Sequence, residues 1–116
     1  MAVKAAEKRM LTPRNERRMA ELLEALCDPT RVKIIRALRA TELAAGDLAH
    51  VIHRSRSATS QHLKVLRDLG AVVPRRSGNV VRYKLSQDMS GQVVEEAVSA
   101  FDRLQPMSGG AGEELS

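Results

Sequence analysis

Apolar side chains recur every three to four residues over most of the chain, which is the spacing of helices with one buried face. Five segments show this spacing, at about residues 15–27, 29–40, 46–53, 55–69 and 89–104. A period of two appears in residues 71–76 and 80–85, on either side of residues 77–79. This alternation predicts a β-hairpin with a loop of three residues or more. The chain is therefore expected to be mainly α, with five helices and one small hairpin between the fourth and fifth.

Residues with suitable turn and capping chemistry stand at the predicted boundaries. Asp28 precedes Pro29 at the start of the second helix, where a carboxylate can accept hydrogen bonds from the free backbone N–H groups. Proline suits the first helical position, because the N–H group that it lacks would have no partner within the helix. Ser55 is a good cap for the fourth helix, and Gly70 ends it. Pro74 restricts its strand to a sheet edge or an irregular pairing. The third helix buries Leu48, Val51 and Ile52 in this scheme.

The fourth predicted helix has an outer side without large apolar groups. That side carries Ser57, Ser60, Gln61 and Lys64. Leu63 and Leu66 lie on the opposite side, where they would face a core. Hydroxyl, carboxamide and ammonium groups bind base edges and phosphates in a DNA major groove, so this segment is a candidate recognition helix. The same face is equally compatible with an ordinary solvated helix, and the pattern alone leaves both interpretations open.

Positive charge is concentrated around this helix. Eight basic residues and a single acid, Asp68, lie between His53 and Ser86, which gives this window a net charge of +7. The whole chain carries +5, so the remainder is slightly negative. A localised positive surface is typical of proteins that bind polyanions, because each neutralised phosphate releases counterions. No segment pairs such a basic face with a large exposed apolar one, which favours nucleic acid over a membrane.

The composition favours a soluble cytoplasmic protein with an aliphatic core. Aromatic residues make up only 2% of the chain. Cys27 is the single cysteine, which excludes an intramolecular disulfide and fits a reducing compartment. The sequence contains no apolar run long enough to span a bilayer, and its first residues lack the hydrophobic stretch of a secretory signal.

The predicted elements occupy residues 15–104, which we interpret as one folded domain. Residues 1–14 are expected to form a flexible arm and residues 105–116 a disordered tail. A domain of this size already has a core, so the apolar stripes on the first and last helices exceed what one subunit needs. They predict a homodimer built on these two helices. The alternative is that the two stripes pack on each other within one subunit.

The order of the elements and four local stretches resemble the ArsR/SmtB family of bacterial winged helix-turn-helix repressors. These stretches are LCDPTRVKIIRAL at 26–38, ELAAGDLA at 42–49, SATSQHLKVLRDLGAV at 57–72 and RRSGNVVRYKLS at 75–86. The resemblance implies a winged helix-turn-helix fold and a homodimer on the first and last helices. It also implies that two recognition helices enter successive major grooves of a pseudo-palindromic operator. Release then follows the binding of an inducer, which in this family is often a metal ion.

Eight residues are predicted to contact DNA. They are Arg56, Ser57, Ser60, Gln61, Lys64, Arg75, Arg76 and Arg82. The outward helix residues are expected at base edges or nearby phosphates, with Gln61 as the best reader of adenine. Arg56 and the three wing arginines are expected at the sugar-phosphate backbone.

The positions at which members of this family bind metals carry unsuitable side chains here. Thiolate-sensing members have cysteines in the third-helix motif, where this chain has Ala44, Ala45 and Gly46. Members that sense zinc-like metals use carboxylates and histidines along the last helix, and this chain has no histidine after His62. Carboxylates alone make a poor transition-metal site, so we predict neither a metal site nor a cofactor.

Cys27 is the remaining candidate for a chemical sensor. A lone cysteine among apolar neighbours is usually packed in the core, and a redox-reactive thiol and a bridge between subunits are the alternatives. His50 and His53 lie three apart on one helix without a third donor, which favours surface or phosphate contact.

A sequence-specific DNA-binding repressor with an unknown inducer is therefore the leading hypothesis. The alternative is a winged-helix protein-interaction module whose basic wing meets an acidic protein. The sequence offers no nucleophile–base pair, phosphate-binding glycine loop or metal-ligand cluster, so we do not expect an enzyme.

Overall fold

The computed structural model describes residues 1–105 and places six helices and three strands in them. The helices are α1 (Ala2–Glu7), α2 (Pro13–Ala25), α3 (Pro29–Ala40), α4 (Ala45–Ile52), α5 (Arg56–Asp68) and α6 (Met89–Leu104). The strands are β1 (Leu43–Ala44), β2 (Val72–Ser77) and β3 (Val80–Leu85). This order confirms the winged helix-turn-helix architecture. From residue 106 onward, the predicted tail lies outside the described residues.

The described residues contain six helices rather than the expected five. The additional one, α1, lies in the predicted arm and buries none of its residues, so it leaves no apolar period in the sequence. α2 begins at Pro13, before the expected start at residue 15, because the Thr12 hydroxyl accepts the N–H of Asn15 at 3.2 Å. The division of the chain into arm, domain and tail stays a prediction.

Capping side chains set the starts of α3 and α5 as predicted. The Asp28 carboxylate accepts the backbone N–H groups of Thr30 at 2.8 Å and Arg31 at 3.3 Å. Desolvation opposes ionisation of Asp28, but these two bonds hold its pKa below the ordinary value. The Ser55 hydroxyl accepts the N–H of Ala58 at 3.0 Å. Both helices therefore begin where the sequence places a cap.

The core is aliphatic and lies among α2, α3, α4, α5, α6 and the base of the wing. Its largest fully buried apolar side chains are Leu22, Ile34, Ile35, Leu48, Leu66, Val72 and Val94. The prediction that Val51 faces this core is wrong, since its side chain is 51% exposed. α4 has only eight residues, and it buries Leu48, Ala49 and Ile52 along one line, which leaves Val51 on the flank. No helix within residues 1–105 is long and apolar enough to cross a membrane.

The wing turns more tightly than predicted. Ser77 pairs with Val80 at the end of the β2–β3 ladder, so the loop contains Gly78 and Asn79 alone, not three or more residues. Gly78 has a φ of +63°, and glycine at the first central position of a two-residue loop is typical of a type II′ turn. Pro74 lies on β2, an edge strand, as expected.

A third strand joins the wing to the helices. β1 pairs antiparallel with β3 through Leu43–Tyr83 and Ala44–Arg82, which gives the sheet order β1-β3-β2. The sequence predicts only an extended link here, because two residues are too few to show a period. β1 leads directly into α4, so the wing is anchored beside the helix-turn-helix.

Candidate nucleic-acid interface

α5 exposes the side that the sequence predicts for DNA contact. The exposed residues on this side include Ser57, Ser60, Gln61 and Lys64. Thr59 and Leu66 on the inner side are fully buried, and Leu63 is 2% exposed. The buried hydroxyl of Thr59 donates to the carbonyl oxygen of Ser55 at 2.8 Å, so its polar group is satisfied. The helix is thus held by its apolar side, and its polar side faces solvent.

Lys64 has an acidic neighbour on the same helix. Its Nζ lies 3.0 Å from Oδ2 of Asp68, one turn away, and both side chains are mostly exposed. Exposed pairs of this kind contribute little free energy, because solvent screens the charges. A phosphate can therefore replace Asp68 as the partner of Lys64 at little cost.

Arg56, the first residue of α5, lies against the first turn of α4. A β-carbon built on Gly46 would stand 3.8 Å from Nη1 of Arg56. The guanidinium group therefore lies beside Gly46, which has no side chain. α4 begins after Ala44, which provides no side-chain cap. Arg56 thus places a cation at the junction of the two helices of the helix-turn-helix.

Arg75 is bound within the chain by an acid that the sequence analysis missed. Its Nη2 and Nε donate to Oε1 of Glu42 at 2.7 and 3.0 Å. The hydrogen bonds from Arg75 hold the pKa of Glu42 below its ordinary value, and Lys84 and Arg82 add to this effect. Glu42 precedes β1 and lies outside the basic window at 53–86, so only the pairing of β1 with β3 brings it to the wing. A count of charges along the sequence could not reveal it.

The register of the wing explains why Arg75 needs a carboxylate. Arg75 stands directly opposite Arg82 in the β2–β3 ladder, and like charges in facing positions destabilise a sheet. Glu42 offsets this repulsion. Arg76 and Arg82 are exposed and have no carboxylate partner within residues 1–105. Lys84 of β3 also has no carboxylate partner within these residues, so the wing carries three cations that are not paired in that part of the chain.

Cys27 is exposed, and the expectation that it packs in the core is wrong. It follows the last turn of α2, where its thiol donates to the carbonyl oxygen of Leu23 at 3.6 Å. Leu26, its neighbour, takes the half-buried position against the core instead. Redox reactivity of this thiol stays a prediction.

The residues at the metal positions of the ArsR/SmtB family do not fit a metal ion. No three His, Cys, Asp or Glu side chains within residues 1–105 are grouped as a metal site requires. Two of the three acids of α6, Glu95 and Asp102, are instead bound by arginines of α3. Asp102 lies 2.8 Å from Arg36 and 3.2 Å from Arg39, and Glu95 lies 3.4 Å from Arg39. The hydrogen bond from Arg36 lowers the pKa of Asp102, and Arg39 contributes to this shift.

Comparison with known proteins assigns the chain to a family. The sequence model described as bacterial regulatory protein, arsR family, matches residues 28–72, from the cap of α3 to the start of β2. The HTH-type transcriptional regulator NmtR of Mycobacterium tuberculosis is 40% identical over 86 residues, which cover 74% of this chain and 72% of that protein. The cadmium resistance transcriptional regulatory protein CadC homolog of Staphylococcus aureus is 37% identical over 91 residues, which cover 78% and 75%.

Two solved structures share the fold at moderate sequence identity. HlyU from Vibrio cholerae has a TM-score of 0.70 and 32% identity, over 81% of this chain and 98% of that one. The transcriptional repressor BigR from Xylella fastidiosa has a TM-score of 0.69 and 30% identity, over 90% and 97%. With the identity to NmtR over most of both chains, these likenesses show that this protein is a transcriptional regulator of the ArsR family.

Proposed function

We propose that this protein is a homodimeric repressor that binds a specific operator duplex in the cytoplasm. The exposed polar side of α5, set in a region of net charge +7, is the observation that carries the proposal. Hydrogen-bonding groups supply sequence discrimination, and the surrounding cations supply affinity for the phosphates.

The outward residues of α5 have different roles in this proposal. The carboxamide of Gln61 has the donor and acceptor that match N7 and the amino group of adenine. Ser57, Ser60 and Lys64 contact base edges or adjacent phosphates. Arg56, Arg76 and Arg82 bind the backbone, and Arg75 joins them where a phosphate displaces Glu42.

Apolar side chains that the subunit leaves exposed support a dimer on α2 and α6. Met19 and Leu23 of α2 are 47% and 48% exposed, and Phe101 and Leu104 of α6 are 63% and 79% exposed. Packing of α2 on α6 within one subunit does not cover these four side chains. A second copy would cover them and bring two recognition helices to successive major grooves.

We infer that the inducer acts outside the usual metal positions of the family. Ala44, Ala45 and Gly46 have no donor atoms in their side chains, and the acids Glu95 and Asp102 are bound by arginines. The Staphylococcus aureus relative is named for cadmium resistance, and we do not propose that role for this chain.

Selection of bound duplexes from a random pool tests the proposal. We expect one enriched sequence with two related half-sites. On that operator, Gln61→Ala should alter the preferred base at one position of each half-site and reduce discrimination by about 1–3 kcal/mol. Arg76→Ala should weaken operator and random duplex alike and reduce the slope of log affinity against log salt by about one.

Three results would contradict the proposal or one of its parts. Equal losses on operator and random duplex for Gln61→Ala would remove its role in base recognition. An unchanged salt slope for Arg76→Ala would remove its phosphate contact. An absence of DNA binding at low salt, with an acidic protein recovered by pull-down, would favour the interaction module.

A further inference from the structure

Arg18 of α2 joins three elements through one guanidinium group. Its Nη2 donates to the carbonyl oxygen of Leu69 at 2.6 Å and also to the hydroxyl of Ser90. Its Nη1 lies 3.8 Å from Oε1 of Glu21 on the same helix. The Arg18 side chain is 33% exposed, so these bonds are partly shielded from water. α2 is thereby connected to the end of α5 and to the start of α6.

The contact on α5 is made at the C-terminal end of the recognition helix. Leu69 is the C-cap residue, and its carbonyl oxygen is among the last acceptors, which have no partner inside the helix. A cation at this end also interacts favourably with the helix dipole. Gly70 follows with a φ of +78°, and a β-carbon built there would lie 3.4 Å from Nη2 of Arg18. Glycine thus provides the left-handed turn directly beside Arg18.

The contact on α6 is made within a closed hydrogen-bond network. Ser90 is 3% exposed, and its backbone N–H is accepted by the carboxylate of Asp88, as is that of Gly91. The Ser86 hydroxyl donates to Asp88, and the N–H of Gly91 donates to Ser86 at 3.2 Å. A β-carbon on Gly91 would overlap the carbonyl oxygen of Ser86, so the end of β3 and the start of α6 are in close contact. Arg18 therefore binds a part of the molecule in which the backbone is closely packed and linked by several hydrogen bonds.

We propose that Arg18 is a positioning residue that fixes the recognition helix relative to α2 and α6, and thereby sets the half-site spacing that the dimer recognises. The inference rests on the proposed function, because α2 and α6 carry the proposed dimer surface and α5 the DNA-contacting face. Arg18 connects the two through charge-assisted hydrogen bonds, which are shorter and stronger than hydrogen bonds between neutral groups. Substitution at this residue should change the geometry between the two recognition helices more than their individual contacts with DNA.

The test compares Arg18→Met with Arg17→Met in the full chain. Both variants lose one positive charge from α2 and keep a similar apolar length, and Arg17 is exposed. Affinity is measured on the selected operator, on operators whose half-sites are moved by one base pair in either direction, and on a single half-site. We expect Arg18→Met to lose tenfold or more on the operator and threefold or less on the single half-site, with a broader spacing preference. Arg17→Met should stay within twofold on every duplex, and Arg18→Lys should fall between the wild type and Arg18→Met.

A second measurement does not depend on DNA. Amide hydrogen exchange of the free protein is followed in the segments 66–72 and 86–92. We expect severalfold faster exchange in both segments for Arg18→Met and no change for Arg17→Met. A wild-type protein that binds no duplex would contradict the proposed function, and the exchange experiment would then test the positioning role alone.

Either of two outcomes would overturn the proposal. Equal affinity losses on the single half-site and on the operator would make Arg18 a direct DNA contact or a general stability residue. Exchange rates in Arg18→Met that match those in Arg17→Met would show that the guanidinium does not hold the two segments.

Discussion

Glu42 influences the wing more strongly than its place in the sequence suggests. Its carboxylate holds Arg75 through three hydrogen bonds and lies close enough to Arg82 and Lys84 for both to lower its pKa. A fixed negative charge therefore stands at the base of a surface that we propose binds phosphates. In the proposed complex, this acid would compete with the phosphates for Arg75.

Glu42→Gln should strengthen DNA binding without regard to sequence. The substitution removes a negative charge from the interface and frees Arg75, and both effects favour phosphate contact. We expect a threefold to tenfold gain in affinity on operator and random duplex, with a salt slope steeper by up to one unit. Fluorescence anisotropy titrations at several salt concentrations measure both quantities. Glu16→Gln, which makes the same charge change at an exposed position of α2, is the control, and a loss of affinity for Glu42→Gln would show that the pair orients the wing instead.

Asp88 gives the stability of the protein a pH dependence. The Ser86 hydroxyl and the N–H of Gly91 hold its pKa below the ordinary value of 3.8. A lowered pKa means that the ionised group stabilises the fold above the pKa of the unfolded chain, and that this stabilisation is lost as the pH falls through the folded value. Asp88 therefore contributes at neutral pH and stops contributing in acid.

Asp88→Asn should lower the urea midpoint at pH 7 and match the wild type in acid. The difference between the two midpoints should shrink as the pH falls below 3.8, because the unfolded chain takes up the proton there and the folded carboxyl group takes it up at a lower pH still. Urea unfolding at a series of pH values measures the difference between the midpoints of the variant and the wild type. Glu96→Gln, at an exposed position of the same helix, should differ little from the wild type at every pH. A difference for Asp88→Asn that persists at full size at pH 3 would contradict the explanation.

Among the elements, α5 separates the residues that form the helix from those proposed to contact DNA. Ser55 caps the helix through the N–H of Ala58, whereas Ser57, two residues later, is exposed. The two side chains are identical and lie two positions apart, but it is Ser55 that caps the helix. They form a matched pair for separating stability from binding.

Ser55→Ala should destabilise the protein, and Ser57→Ala should not. Loss of an N-cap costs about 1 kcal/mol, which corresponds to a decrease of about 4–8 °C in the midpoint of thermal unfolding for a domain of this size. Ser57→Ala should remain within about 0.5 kcal/mol of the wild type while losing affinity for the operator. Circular dichroism at one fixed protein concentration measures the stability difference. Equal midpoints for the two variants would contradict the capping role.

The elements also show which parts of the fold can be predicted from sequence. α6 begins and ends at the predicted residues, Met89 and Leu104, because its apolar period runs over its whole length. α1 and β1 were missed, since a helix without a buried face and a strand of two residues show no period. The partner of Arg75 was missed for another reason, namely that Glu42 is 33 residues away and the sequence gives no sign of their proximity.

At the scale of the whole molecule, the single subunit leaves apolar side chains on the outward faces of α2 and α6 exposed to solvent. Phe101 is 63% exposed and follows the same helix face as the half-buried Val93 and Ala97. An aromatic side chain at the centre of an interface is often a main contributor to association. We therefore expect dimerisation to depend strongly on this residue.

Phe101→Glu should weaken the dimer by tenfold or more, which equals about 1.4 kcal/mol or more of association free energy. Burying a carboxylate against a second apolar helix adds a desolvation cost to the lost contact. Sedimentation velocity over a range of protein concentrations measures the dissociation constant. Val51→Glu introduces the same charge at the 51% exposed position on α4 and should leave the dimer unchanged. A fully dimeric Phe101→Glu would place the interface elsewhere.

The two residues of β1 have a consequence for how such a regulator acquires new target genes. Leu43 and Ala44 pair with β3 and lead directly into α4, so backbone pairing joins the wing to the helix-turn-helix. Substitution of the outward side chains alone then suffices to change the duplex that is chosen, since the scaffold does not have to be refitted. Changes of operator sequence among descendants of this protein should accordingly accompany substitutions at a few surface positions. The pairing of β1 with β3 should be retained.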